Sequence, residues 1–93
     1  MKGELRDLYT VTYLGTEYLC RTVRGDDGRM WDMADSQLGE IISGHIDSDD
    51  SAVRDGALNV DENFYCYVPL HVLIFADDDK IMSWCRDNGI DFD

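Results

Sequence analysis

Leu8-Tyr9-Thr10-Val11-Thr12-Tyr13-Leu14-Gly15-Thr16-Glu17-Tyr18-Leu19-Cys20-Arg21-Thr22-Val23 decides the fold class. Apolar and β-branched residues run to Tyr13-Leu14, a Gly-x pair interrupts them, and a second β-prone run follows. A two-residue turn at Gly15-Thr16 of the II′ kind joins the two runs as a hairpin. That turn pairs 14 with 17, 13 with 18, 11 with 20 and 9 with 22. Tyr9, Val11, Tyr13, Tyr18 and Cys20 then share the core face. The other face mixes Thr10, Thr12 and Arg21 with Leu8, Leu19 and Val23, the pattern of a surface only partly covered.

Working outward, Asp26-Asp27-Gly28 is a turn signal and Arg29–Met33 alternates as a third antiparallel strand. Asp35 or Ser36 can cap a short helix with Leu38, Ile41 and Ile42 on one face and Gly44 at its stop. His45 to Ser51 is almost devoid of apolar residues and is expected as an exposed loop, while Ala52 to Val60 has no decisive pattern. Phe64–Val68 is a fourth strand, ended by the only proline, Pro69. Pro69 opens a short helix to about Phe75. Asp77-Asp78-Asp79 opens another, with Ile81, Trp84 and Cys85 inward and Asn88-Gly89 at its end.

The expected fold is therefore α+β in a single compact domain, residues 1–93. It combines a small antiparallel sheet of three to five strands, a short middle helix and a C-terminal helical segment packed on one face. Tyr9, Val11, Tyr13, Tyr18, Trp31, Leu38, Ile41, Phe64, Cys66, Val68, Ile81 and Trp84 should supply much of the core. Ninety-three residues suffice for one domain burying about 60–70% of its unfolded surface. An apolar fraction of 44% with ten aromatic residues opposes disorder. No apolar run approaches the roughly 18 residues that span a bilayer, and Met1–Asp7 leads into no signal-peptide core. A cytoplasmic location is expected, without membrane contact.

Cys20, Cys66 and Cys85 form no C-x-x-C pair and share no metal-ligand spacing with His45 or His71, so buried reduced thiols are expected. Asp47, Asp49 and Ser51 begin like an EF-hand, but Ala52 stands where the loop needs glycine and Leu58 where it needs a bidentate glutamate. A strand over Val72–Phe75 could deliver Asp77, Asp78 and Asp79 to a magnesium ion. Only 14 residues follow Asp79, enough for one capped helix and too few for the repeated βαβ units such a site requires. No cofactor or metal is implied, and no enzymatic role is expected.

Twenty acids against eight bases give a net charge of −12. Residues 1–46 hold eight acids and five bases, and the remainder holds twelve acids and three bases. Asp47, Asp49, Asp50, Asp55, Asp61, Glu62, Asp77, Asp78 and Asp79 are the candidate partner-binding residues. Such a surface steers basic partners and disfavours direct contact with nucleic acid or anionic membranes. Carboxylates at strand spacing, about 6.6 Å between alternate residues, could imitate phosphate charge density.

In composition the chain resembles the small acidic nucleic-acid mimics that phages use against host defences, including anti-CRISPR and anti-restriction proteins and uracil-glycosylase inhibitors. The resemblance implies an inhibitor of a basic nucleic-acid-binding protein or effector complex, acting in the host bacterial cytoplasm. Two alternatives fit the same charge. One is an immunity or antitoxin protein plugging a nuclease toxin. The other is a soluble domain with incidental charge, of which a halophilic origin is one version, since 16 of the 20 acids are aspartate and only Lys2 and Lys80 are lysine. Nothing in the sequence sets an oligomeric state.

Overall fold

A computed structural model describes residues 7–92. In chain order it contains β1 (Leu8–Tyr13), β2 (Thr16–Arg24), β3 (Met30–Asp35), α1 (Ser36–Ile46), α2 (Ser51–Asp61), β4 (Cys66–Val68), α3 (Leu70–Phe75) and α4 (Asp78–Asp87). This is the expected α+β class, with four strands in one sheet of order β1-β2-β3-β4.

The first hairpin turns one residue earlier than expected. Tyr13 pairs with Thr16 and Val11 with Tyr18, so the loop is Leu14-Gly15, with φ of 50° and 84°. Positive φ at both loop positions is the I′ geometry, whose twist matches the strands. Leu14 takes a left-handed conformation that costs a non-glycine residue about 1 kcal/mol, against six ladder pairs. Each partner is displaced by two residues, and because strand side chains alternate with period two, the displacement leaves every side chain on its expected face.

The larger departure is at β4. β1, β2 and β3 form an antiparallel meander, but β4 runs parallel to β3, pairing Met33 with Cys66 and Asp35 with Val68. The sheet is mixed rather than antiparallel because α1 and α2 together make a crossover, the long connection that parallel neighbours require. α2 occupies the stretch that the sequence left undecided. Asp50 caps it, accepting hydrogen bonds from the Ala52 and Val53 amides at 2.9 and 3.4 Å. Val53, Ala57 and Val60 turn inward at i, i+4 and i+7, while Gly56 dilutes the pattern. α1 runs past Gly44 to Ile46.

Helices cover both faces of the sheet. On one, Tyr13, Cys20 and Ala34 pack with Leu38 and Ile42 of α1 and Ala57 of α2. On the other, Val23, Met33, Cys66 and Val68 pack with Leu73 of α3 and Ile81, Met82 and Cys85 of α4. The second hairpin face is thus core as well. Tyr9 and Ile41, both expected inside, are 39% and 38% exposed. Tyr9 lies on an edge strand, and Leu38 and Ile42 take the inward face of α1. Gly39 fixes how closely α1 approaches β4, because a Cβ there would lie 2.5 Å from the Tyr67 ring.

Arg21, on the α3–α4 face of β2, is only 2% exposed. Its guanidinium donates to the Leu73 carbonyl at 2.9 Å, the Ala76 carbonyl at 2.7 Å and Asp78 Oδ1 at 2.7 Å. Asp78 Oδ2 accepts from the Arg24 amide at 3.0 Å. One cation therefore satisfies carbonyls that the end of α3 leaves without intrahelical partners and holds the first turn of α4.

Arg21→Ala should lower unfolding free energy by about 3–5 kcal/mol, because it strands a carboxylate and two carbonyls. Arg21→Lys should recover little of this, since one ammonium cannot span three acceptors. Urea titration of both variants checks the expectation. Leu14→Asn, which creates the favoured Asn-Gly turn, should raise stability by about 1 kcal/mol in the same assay.

Candidate partner-binding surface

The candidate acids divide between structural duty and solvent. Asp50 is the α2 cap, and its own amide donates to Ser48 Oγ at 3.1 Å. Asp61 accepts from the Tyr67 hydroxyl at 2.6 Å, tying α2 to β4. Burial, with this bond and the Asp61 charge, pushes the Tyr67 hydroxyl pKa well above its usual value. Asp77 caps α4 through the Lys80 amide at 2.9 Å, and Asp78 is held by Arg21. Asp47, Asp49, Asp55, Glu62 and Asp79 are exposed. Of these, only Asp55 has a described ion pair, with Arg54 at 3.9 Å.

None of the nine lies on a strand. The acids are presented from helix ends and one helix face, so the expected strand spacing does not describe them. They also do not form one group. Asp47, Asp49, Asp50 and Asp55 gather at the α1–α2 corner, with Asp61 and Glu62 at the far end of α2, about 16 Å along its axis. Asp77, Asp78 and Asp79 belong to the helical layer on the opposite face of the sheet.

The α1–α2 layer, residues 36–62, is the most acidic part of the fold. It contains Glu40, Asp47, Asp49, Asp50, Asp55, Asp61 and Glu62 against Arg54 alone, a net charge of −6 and half that of the chain. Glu40 was not among the expected residues; it lies seven positions before Asp47 on α1, the spacing of one helix face. Elsewhere three arginines are already paired: Arg21 with Asp78 at 2.7 Å, Arg29 with Asp27 at 2.9 Å and Arg86 with Asp26 at 2.6 Å. The outward face of α2 carries Ser51, Ala52, Asp55, Leu58, Asn59 and Glu62, short side chains that leave the carboxylates prominent.

A cleft of about 400 Å³ lies between the β2–β3 turn and residues 90–92, lined by Asp26, Asp27, Trp31, Arg86, Asp91 and Phe92 among others. Trp31, Tyr65 and Phe92 pack there with ring centroids 4.5 and 5.2 Å from Trp31, and Arg29 lies 4.7 Å over the Trp31 ring. Both arginines of this end are bound to neighbouring aspartates.

All three thiols are buried, and their shifts differ in direction: the hydrogen bond with Cys66 lowers Cys85. Burial, reinforced by the charges of Asp32 and Asp35, pushes Cys20 up to about 11. Cys66 is raised by its hydrogen bond to Cys85, 3.6 Å away, and by burial. Val72–Phe75 lies within a helix rather than the strand that a magnesium site required, and among the described residues no group of three potential ligands could hold a metal ion. His45 is hydrogen-bonded through Nδ1 to the Tyr13 hydroxyl at 2.6 Å, and His71 is exposed. Among the described residues no helix is long and apolar enough to cross a membrane.

No family model, curated protein or solved structure matches the chain.

The separation of holding and facing acids has a measurable consequence. Asp49→Lys combined with Asp55→Lys should change unfolding free energy by less than about 1 kcal/mol, whereas Asp78→Asn should cost about 1–3 kcal/mol. Parallel urea unfolding of the two variants checks this contrast.

Proposed function

We propose that the protein binds and inhibits a nucleic-acid-handling protein or complex by presenting the α1–α2 layer to its Lys/Arg-lined site, acting as a phage anti-defence factor in the bacterial cytoplasm. The observation that carries the reading is the concentration of half the net charge of −12 in 27 residues with a single base. Those carboxylates stand on a helical hairpin whose inward residues are committed to the core, so the outward face is rigidly displayed.

Spacing supports the same reading. The outward acids Asp55 and Glu62 are separated by about 10.5 Å of rise along α2. Three phosphate steps of one nucleic-acid strand advance about 10.2 Å along the duplex axis. A groove lined to grip phosphates three steps apart meets two carboxylates at a comparable axial interval. Exposed Leu58, between the two outward acids, adds apolar contact. Long-range attraction to such a face raises the association rate and weakens as salt screens it. Phe75, 80% exposed beside Asp77 and Asp79, offers a secondary contact from the other layer.

The test is a pull-down from bacterial lysate at low and high salt, with mass spectrometry of the protein released between them. A CRISPR effector subunit, nuclease or other nucleic-acid-binding protein is expected in the salt-released fraction. The triple variant Asp47→Lys, Asp49→Lys, Asp55→Lys should bind that species at least about tenfold more weakly and with a shallower salt dependence. Retention of full affinity by the folded triple variant would refute the α1–α2 assignment.

A further inference from the structure

Among the described residues, β1 and β4 form the two edges of the sheet, and the edges are treated differently. β4 is three residues long and Pro69 follows it directly, both devices that stop another strand from adding. β1 has six residues, Leu8-Tyr9-Thr10-Val11-Thr12-Tyr13, with no charge, no proline and no bulge in its pairing with β2. In a chain with 30% charged residues, this edge carries none.

The direction of its free backbone groups follows from the ladder. The Asp7 carbonyl accepts from the Thr22 amide at 3.2 Å. Antiparallel pairs alternate between bonded and non-bonded, so Tyr9, Val11 and Tyr13 bond β2 while Leu8, Thr10 and Thr12 turn their N–H and C=O outward. Those three positions are symmetric about Thr10. A second β1 laid antiparallel would place Thr10 opposite Thr10 and Leu8 opposite Thr12 as bonded pairs, with Tyr9 opposite Val11 between them. Thr–Thr and aromatic–β-branched pairs are both favourable cross-strand combinations, and no like charges meet along the strand.

We infer that β1 is a self-complementary dimerisation edge, and that two copies join through it into a continuous eight-stranded sheet. The two-fold axis of such a pair is normal to the sheet, so each face is preserved across the junction. Both α1–α2 layers therefore lie on the same side, and the acidic surface is doubled in length. The dimer does not rest on the partner reading above, and its salt response has the opposite sign. Two chains of net charge −12 repel one another, so screening strengthens self-association while weakening attachment to a basic partner.

Sedimentation velocity of the full chain over a wide concentration range, at low and high salt, tests this. The mass should rise from 10.6 kDa towards twice that value with concentration, and more readily at high salt. Thr10→Pro removes an outward N–H without touching the β1–β2 ladder, and Thr10→Lys sets two like charges opposite one another. Each should weaken the dimer at least about tenfold while circular dichroism shows a folded chain. Should the proline variant fail to fold, the lysine variant decides. A wild-type chain that stays monomeric at every concentration and salt, or a dimer unaffected by the folded variant, overturns the assignment.

Discussion

The buried guanidinium of Arg21 is the constraint on which the α3–α4 layer depends. α3 is a six-residue helix whose own propensity contributes little, and its last carbonyls point into the protein rather than water. A buried cation beneath them supplies three donors at once, and Asp78 neutralises it. Such a centre gains little over a well-packed apolar substitute but costs heavily when either partner is lost, which makes it a device for specificity of arrangement. It is not perfectly saturated: the Arg21 Nε finds no acceptor among the described residues. The junction of α3 and α4 is thereby pinned to β2, and the helices cannot slide without exposing that deficit.

The same centre explains why acidic residues close in sequence are unequal in availability. Asp77 is spent on a helix cap, Asp78 on Arg21, and Asp79 faces solvent. In the other layer Asp50 and Asp61 hold α2 at its two ends, while Asp47, Asp49, Asp55 and Glu62 face outward. Counting charges along the chain treats these as one population. Their hydrogen bonds divide them into groups that build the molecule and groups that define its field.

How far the sequence could be read follows from which signals are local. The pairing of β1 with β2, the Asp35 cap, the Pro69 boundary and the Asp77 and Asn88 limits of α4 are encoded within a few residues, and these elements are present as expected. The hairpin turn lies one residue before the Gly-x signal because Leu14, with φ of 50°, takes a left-handed conformation that its sequence does not mark. α2 has no decisive local signal because valine and alanine at its inward positions make a weak stripe, which Gly56 dilutes further, and without α2 the parallel entry of β4 is not legible. From the sequence Arg21 belongs to a mixed, partly covered face, yet it is buried. Its role depends on carbonyls more than fifty positions away, which no local pattern reveals. The nine acids were visible at once; their partition between two layers required the tertiary arrangement.

The close approach at Gly39 bears on how such a molecule can change over time. With no room for a side chain against Tyr67, and Tyr67 itself bound to Asp61, the seating of the α1–α2 hairpin is locked by residues that face the sheet. Asp47, Asp49, Asp55, Leu58 and Glu62 have no part in that lock. The outward face can accordingly be rewritten one residue at a time while the scaffold beneath it stays in place. A surface of that kind can follow a binding target that is itself under pressure to escape, because each adjustment of contact leaves folding intact.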